Sequence, residues 1–166
     1  MFKLQPVVTL PEEWVRLCYK WGDEFVAEVK RKREAGESWR AHELAADGIE
    51  EDPIKQAKAK MAECASIIAF GLHPATISFA LLPDHGWDFI WRHLKIDIKN
   101  SGWAAQYLLW PRQKNDILEK VTSDLLLFVQ EDVPRFRLNG YVSRNYFIKH
   151  HEVAGPHHKL QPGTFC

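Results

Sequence analysis

Apolar residues at helical spacing dominate the first third of the chain. Trp14, Leu17, Trp21, Phe25 and Val29 recur every three or four positions among charged residues, which predicts an amphipathic helix over about 10–34. Thr9-Leu10-Pro11-Glu12 reads as its capping box, and Lys30-Arg31-Lys32-Arg33 as a basic last turn that complements the helix dipole. The periodicity breaks over about 35–52, where Gly36, Gly48 and an acidic Glu50-Glu51-Asp52 run predict a linker. A second helix follows, with Asp52 as N-cap, Pro53 at its first position, Gly71 beyond its end, and Met61, Ala65 and Ile68 as its core stripe. From there the pattern favours strands. Residues 75–82 predict a first strand, 87–99 a hairpin, 106–110 another strand, and 125–129 a continuous apolar strand buried on both faces. Ser143 then caps a short helix ending near His151. The predicted order is α, α, β-meander, β, β, α. It describes one α/β (α+β-like) domain over 1–166, with a central mixed β-sheet flanked by helices.

The hairpin carries the chemistry. If the chain reverses at Arg92-His93, Trp91 faces Leu94, Phe89 faces Ile96 and Trp87 faces Ile98, so one face is wholly apolar. The other face pairs Asp88 with Asp97, and Lys99 projects beside Asp97 because side chains alternate with a period of two. Two opposed carboxylates repel, by about 0.2–1 kcal/mol, so a divalent cation between them is the sensible occupant. Arg-His lacks the Gly or Asn of a tight two-residue turn, and a slightly longer loop is the alternative.

A third carboxylate lies in the second helix. Glu63 is the only charged residue between Met61 and Leu72, off the core stripe and flanked on the wheel by Ile67 and Phe70. A buried carboxylate without a partner is protonated or destabilising, so Glu63 reads as a metal ligand, directly or through water, with a buried salt bridge as the alternative.

Glu63, Asp88 and Asp97-Ile98-Lys99 together resemble the PD-(D/E)XK nuclease superfamily. That superfamily carries a helix glutamate, an aspartate on one strand and an (Asp/Glu)-x-Lys on the next. The short spacing is closest to small phage and bacterial members, and 123–130 and 138–147 are similar to the buried strand and the strand-to-helix passage that follow their catalytic hairpin. The resemblance covers roughly 53–166. It implies a restriction-endonuclease-like core and a Mg²⁺- or Mn²⁺-dependent deoxyribonuclease, endonuclease or exonuclease. It further implies a metal held by Glu63, Asp88, Asp97 and the backbone carbonyl of Ile98, with Lys99 orienting the attacking water. The family's proline does not directly precede Asp88; Pro83-Asp84 lies upstream, which makes Asp84 a rival ligand. Gln106 is the candidate for the glutamine that follows the lysine in some branches. A homodimer would supply two centres for concerted double-strand cleavage. The alternative function is a nuclease fold that binds nucleic acid, inhibits or assembles without cutting.

Charge and cysteine content adjust this picture modestly. The 166 residues hold 22 basic and 22 acidic side chains, so no strong global pull on DNA is expected. Residues 64–166 nevertheless hold 11 basic against 9 acidic side chains and seven of the eight histidines, which places the excess base with the proposed site. Three cysteines without a C-x-x-C pair argue against a disulfide framework, and the lack of an apolar run of about 18 residues argues against a membrane partner. A cytoplasmic protein is the expectation. His150-His151 and His157-His158, with Glu152 or Cys166, offer a zinc reading, but neighbouring histidines point apart in regular structure. Cys64, in partly apolar surroundings, reads as inert packing rather than a nucleophile.

Overall fold

The computed structural model describes residues 6–36, 52–79, 87–103, 108–111, 122–154 and 157–160. Two long helices, α1 (Glu12–Glu34) and α2 (Pro53–Ala69), lie on one another, and α2 lies on a five-stranded sheet. The sheet comprises β1 (Val7–Thr9), β2 (Phe89–Trp91), β3 (Leu94–Gly102), β5 (Leu125–Asp132) and β6 (Arg135–Ser143), in the spatial order β1-β6-β5-β3-β2. Only β3 and β5 run parallel, so the sheet is mixed. A short helix α3 (Arg144–His150) follows β6, and β4 (Leu108–Pro111), β7 (Glu152–Ala154) and β8 (His157–Leu160) form a second, three-stranded antiparallel sheet. No helix among the described residues is long and apolar enough to cross a membrane.

The alternation of the strands sorts the core into two layers. Ile96 and Ile98 of β3, Leu127 and Val129 of β5, and Phe136 and Leu138 of β6 bury against Met61, Ala65 and Ile67 of α2. Leu126 and Phe128 point the other way and pack with Val142, Phe147 of α3 and Leu160 of β8. The run 125–129 is therefore buried on both faces, as its unbroken apolar sequence requires.

Asp52 does cap α2: its carboxylate accepts from the backbone N–H groups of Ile54 (2.9 Å) and Lys55 (3.2 Å). Ser143 likewise accepts from Tyr146 N–H at 3.2 Å and opens α3. The start of α1 differs from the predicted capping box. Thr9 belongs to β1, opposite Arg135, and Pro11 occupies the N-cap with no side-chain hydrogen bond. A three-residue strand is too short to show an alternating pattern, so the β-branched Val7-Val8-Thr9 run was hidden by the cap signature beside it.

Burial on α1 is also turned from the predicted stripe, onto Cys18, Trp21, Gly22, Val26 and Val29, while Leu17 stays 40% exposed. Gly22 explains the rotation. A Cβ there would stand 2.4 Å from the Pro53 carbonyl oxygen and 3.2 Å from Ala57 Cβ, so α1 crosses the start of α2 at backbone contact. Gly22→Ala gains about 1 kcal/mol of helix propensity but forces this crossing apart, for a net loss of about 1–3 kcal/mol in chemical denaturation. An unchanged or raised midpoint would show that the crossing is not tight.

The predicted strand over 75–82 is not present in its described part. Pro74–Thr76 forms a 3-10 turn, with His73 Nδ1 accepting from Ala75 N–H, because Pro74 favours a turn at that point. Residues 80–86 and the linker segment 37–51 lie outside the described residues. The chain does not end on a helix as predicted, since β7 and β8 follow α3.

Candidate metal and active centre

The β2–β3 hairpin turns in two residues. Arg92 (φ 45°) and His93 (φ 69°) both adopt the left-handed region demanded by a type I′ turn, although neither is the usual Asn or Gly. The turn fixes the predicted pairs Trp91 with Leu94 and Phe89 with Ile96. The third predicted pair, Trp87 with Ile98, is not part of the ladder.

The ladder stops because Asp88 takes the next position with its side chain. Its backbone N–H still donates to Ile96 oxygen (2.8 Å), but its carboxylate Oδ2 accepts the Ile98 N–H at 2.6 Å, where a strand carbonyl would otherwise sit. Asp88 is thereby held at the edge of β3 and not across from Asp97 on one face. Asp97 and Lys99 lie on the face opposite α2, since their neighbours Ile96 and Ile98 point into the α2 layer. Asp97 is buried, at 5% exposure, and Lys99 Nζ donates to its Oδ1 at 2.7 Å.

Glu63 approaches the same edge from the α2 side. Its side chain is 13% exposed and accepts from Lys60 Nζ at 2.6 Å. Lys60 is itself boxed in: it donates to the Ser78 carbonyl (3.3 Å) and lies over the ring of Trp21, 4.6 Å from its centroid. The buried salt bridge that sequence left as the alternative partner for Glu63 is thus formed. Even so, burial holds the Glu63 carboxyl well above the ordinary carboxylate range, and the nearby Asp88 charge raises it further against the lowering influence of Lys60.

The structure therefore gathers the four predicted side chains as two pairs around one backbone N–H. Glu63 and Asp88 interact on one side of Ile98, while Asp97 and Lys99 pair on the other. Among the described residues, no three His, Cys, Asp or Glu side chains already converge as a metal cage. The donor set nonetheless suits a hard divalent cation: all are oxygens, and the Glu63–Asp88 repulsion is the kind that such an ion relieves. Asp84 and Gln106 lie outside the described residues.

No family model, curated protein or solved structure matches this chain.

Lys60 is the contributor that sequence reasoning missed. Its spacing of three from Glu63 on a helix was the available signal, since residues at i and i+3 are neighbours on one face. Asn100 and Lys58 were missed too: Asn100 Nδ2 donates to Glu131 Oε2 (2.6 Å), and Lys58 Nζ stands 3.3 Å from Glu131 Oε1, which ties α2 to β3 and β5. The predicted zinc ligands Cys166 and the side chains of His157 and His158 lie outside the described residues, and His150 and His151 are held locally. His150 stacks on Tyr146 (4.2 Å between centroids), and His151 Nδ1 lies 2.9 Å from the Ile148 carbonyl oxygen. Cys64 is fully buried 3.9 Å from Cys18, and that contact, then burial, pushes its thiol up, away from the nucleophilic thiolate.

The raised Glu63 carboxyl has a measurable consequence in metal-free protein. The folded state keeps a proton on Glu63 that the unfolded chain releases near pH 4.5, so stability falls as pH rises from there through the folded value. In EDTA, Glu63→Gln flattens this descent, and its melting temperature declines less than that of the wild type between pH 5 and 8. Parallel profiles for the two proteins would contradict the assignment.

Proposed function

We propose that this chain is a divalent-metal-dependent deoxyribonuclease with a restriction-endonuclease-like core, and that its centre lies at the edge of β3. The observation that carries this reading is the Asp88 carboxylate seated on the Ile98 N–H, between Asp97 and Lys99 in the chain and beside Glu63. Glu63 with Asp88 on one side of Ile98, and Asp97 with Lys99 on the other, are carried by strands and a buried helix turn. Glu63, Asp88, Asp97 and the Ile98 carbonyl would hold Mg²⁺ or Mn²⁺, which when bound supplies charge neutralisation and a water acidic enough to attack at neutral pH.

The protein's own groups account for the remaining needs. Lys99 carries three donors on an ammonium fixed by Asp97, so it can orient a water and stabilise negative charge that develops on a phosphate oxygen. Its side chain is 23% exposed, which leaves it open to a substrate, whereas Asp97 at 7% is shielded from bulk water. Asp88 is preorganised by its backbone bond, and Lys60 keeps Glu63 from swinging away.

A non-catalytic binding module is the second reading, and the two lysine–carboxylate pairs favour it because Glu63 and Asp97 each already have a counter-charge. Incubation with labelled linear duplex, circular and single-stranded DNA separates the two. The nuclease cuts with Mg²⁺ or Mn²⁺ and not in EDTA, and its preferred substrate distinguishes endonuclease from exonuclease. A protein that binds DNA but cuts none with either ion would establish the binding module.

A further inference from the structure

The face of the sheet that carries Asp97 and Lys99 continues into a second cluster of cationic groups. Along β3, Lys99 and Ser101 share this face, and the strand ends at Gly102, about 10 Å beyond Lys99. Ser101 stands opposite Gln130 of β5, and Gln130 opposite Arg137 of β6. Arg135 lies on the same side, because Phe136 and Leu138 bury into the α2 layer. Both guanidinium groups rest over Trp103: Arg137 lies 4.1 Å and Arg135 5.5 Å from the ring centroid. Arg135 also pairs with Asp132 and is 57% exposed. Arg137, by contrast, makes no ion pair with a carboxylate among the described residues.

An arginine lying over an indole, with no ion pair to a carboxylate among the described residues, keeps its planar fork of donors ready for an anion. We propose that Arg137, over Trp103 and flanked by Arg135, forms a phosphate subsite for the backbone of the DNA bound at the Lys99 centre. The inference rests on the nuclease reading and extends it to the substrate's backbone. Arg137 stands two strands across the sheet from Ser101, about 10 Å at about 4.8 Å per strand, so the arginines would hold a phosphate other than the one at Lys99. Their contact is with phosphate and not with bases, so binding through them is independent of sequence. Lys99 and Arg135 are each paired with an aspartate, which leaves Arg137 as the group on this face whose charge is most open to a phosphate.

Fluorescence anisotropy of labelled single-stranded and duplex DNA in EDTA, measured over a range of salt, tests the subsite without cleavage. Arg137→Gln is expected to weaken binding about five- to tenfold at low salt, equally for unrelated sequences, and to reduce the salt slope by about one. Arg137→Lys, which keeps the charge and loses the planar stack, should retain most of the slope and serves as the folded control. Wild-type binding that Arg137→Gln leaves unchanged in affinity and slope would overturn the subsite while leaving the nuclease reading standing. Failure of the wild type to bind any DNA at low salt, in EDTA and in Ca²⁺ alike, would overturn both.

Discussion

Lys99→Met is expected to lower Mg²⁺-dependent DNA cleavage by about 10²–10³-fold, with the loss in kcat and little change in KM. The magnitude follows from removing one preorganised donor aimed at developing charge. The kinetic signature follows from geometry: Lys99 is held by Asp97 at the centre, and the proposed backbone contacts lie across the sheet. In EDTA the variant also melts earlier than the wild type, since Asp97 is buried and loses its counter-ion. Full activity with Met at position 99 would remove the lysine from the chemistry.

Lys60→Met is expected to cost about 3–5 kcal/mol of stability in EDTA at pH 8, because deleting one partner of a buried pair leaves the other uncompensated. Glu63 and Lys60 are 13% and 11% exposed, so solvent screening offers little relief. The sign with pH is fixed by the upward shift of Glu63: the penalty is greatest where Glu63 would ionise, above its folded value, and fades as pH falls below that value, where the folded carboxyl is protonated. Added Mn²⁺ should recover much of the loss, by supplying positive charge beside Glu63 and Asp88. A variant that matches the wild type in EDTA across this range would show that Lys60 does not stabilise Glu63.

The parts of the fold written in periodic or capped sequence were legible. Asp52-Pro53 marked α2, Ser143 marked α3, and the apolar run 125–129 marked a strand buried on both faces. The Phe89–Ile96 and Trp91–Leu94 pairs were also readable, because one face of the hairpin is apolar throughout. What escaped depended on contacts between distant residues. β1 is three residues long and exists because the edge of β6 offers it a partner. The rotation of α1 depends on the absence of a side chain at Gly22 facing Pro53. β8 pairs on its other edge with β4, more than forty residues earlier in the chain.

The candidate centre was legible in composition but not in arrangement. Simple alternation places Asp88 opposite Asp97; in the folded chain the Asp88 carboxylate substitutes for a strand carbonyl, and no pattern of hydrophobicity encodes that exchange. Glu63 stands out as a lone charge in an apolar stretch, yet its partner Lys60 lies just outside that stretch, one helical turn away.

Titration calorimetry with Mn²⁺ tests the central claim most directly, namely that the carboxylates around Ile98 form one divalent-cation site. The wild type should bind Mn²⁺ with a submillimolar Kd, and Asp88→Asn should weaken that binding about tenfold or more while leaving the melting temperature in EDTA close to that of the wild type. A wild type that binds no Mn²⁺ at millimolar concentration, or an Asp88→Asn protein that binds it equally well, would contradict the account.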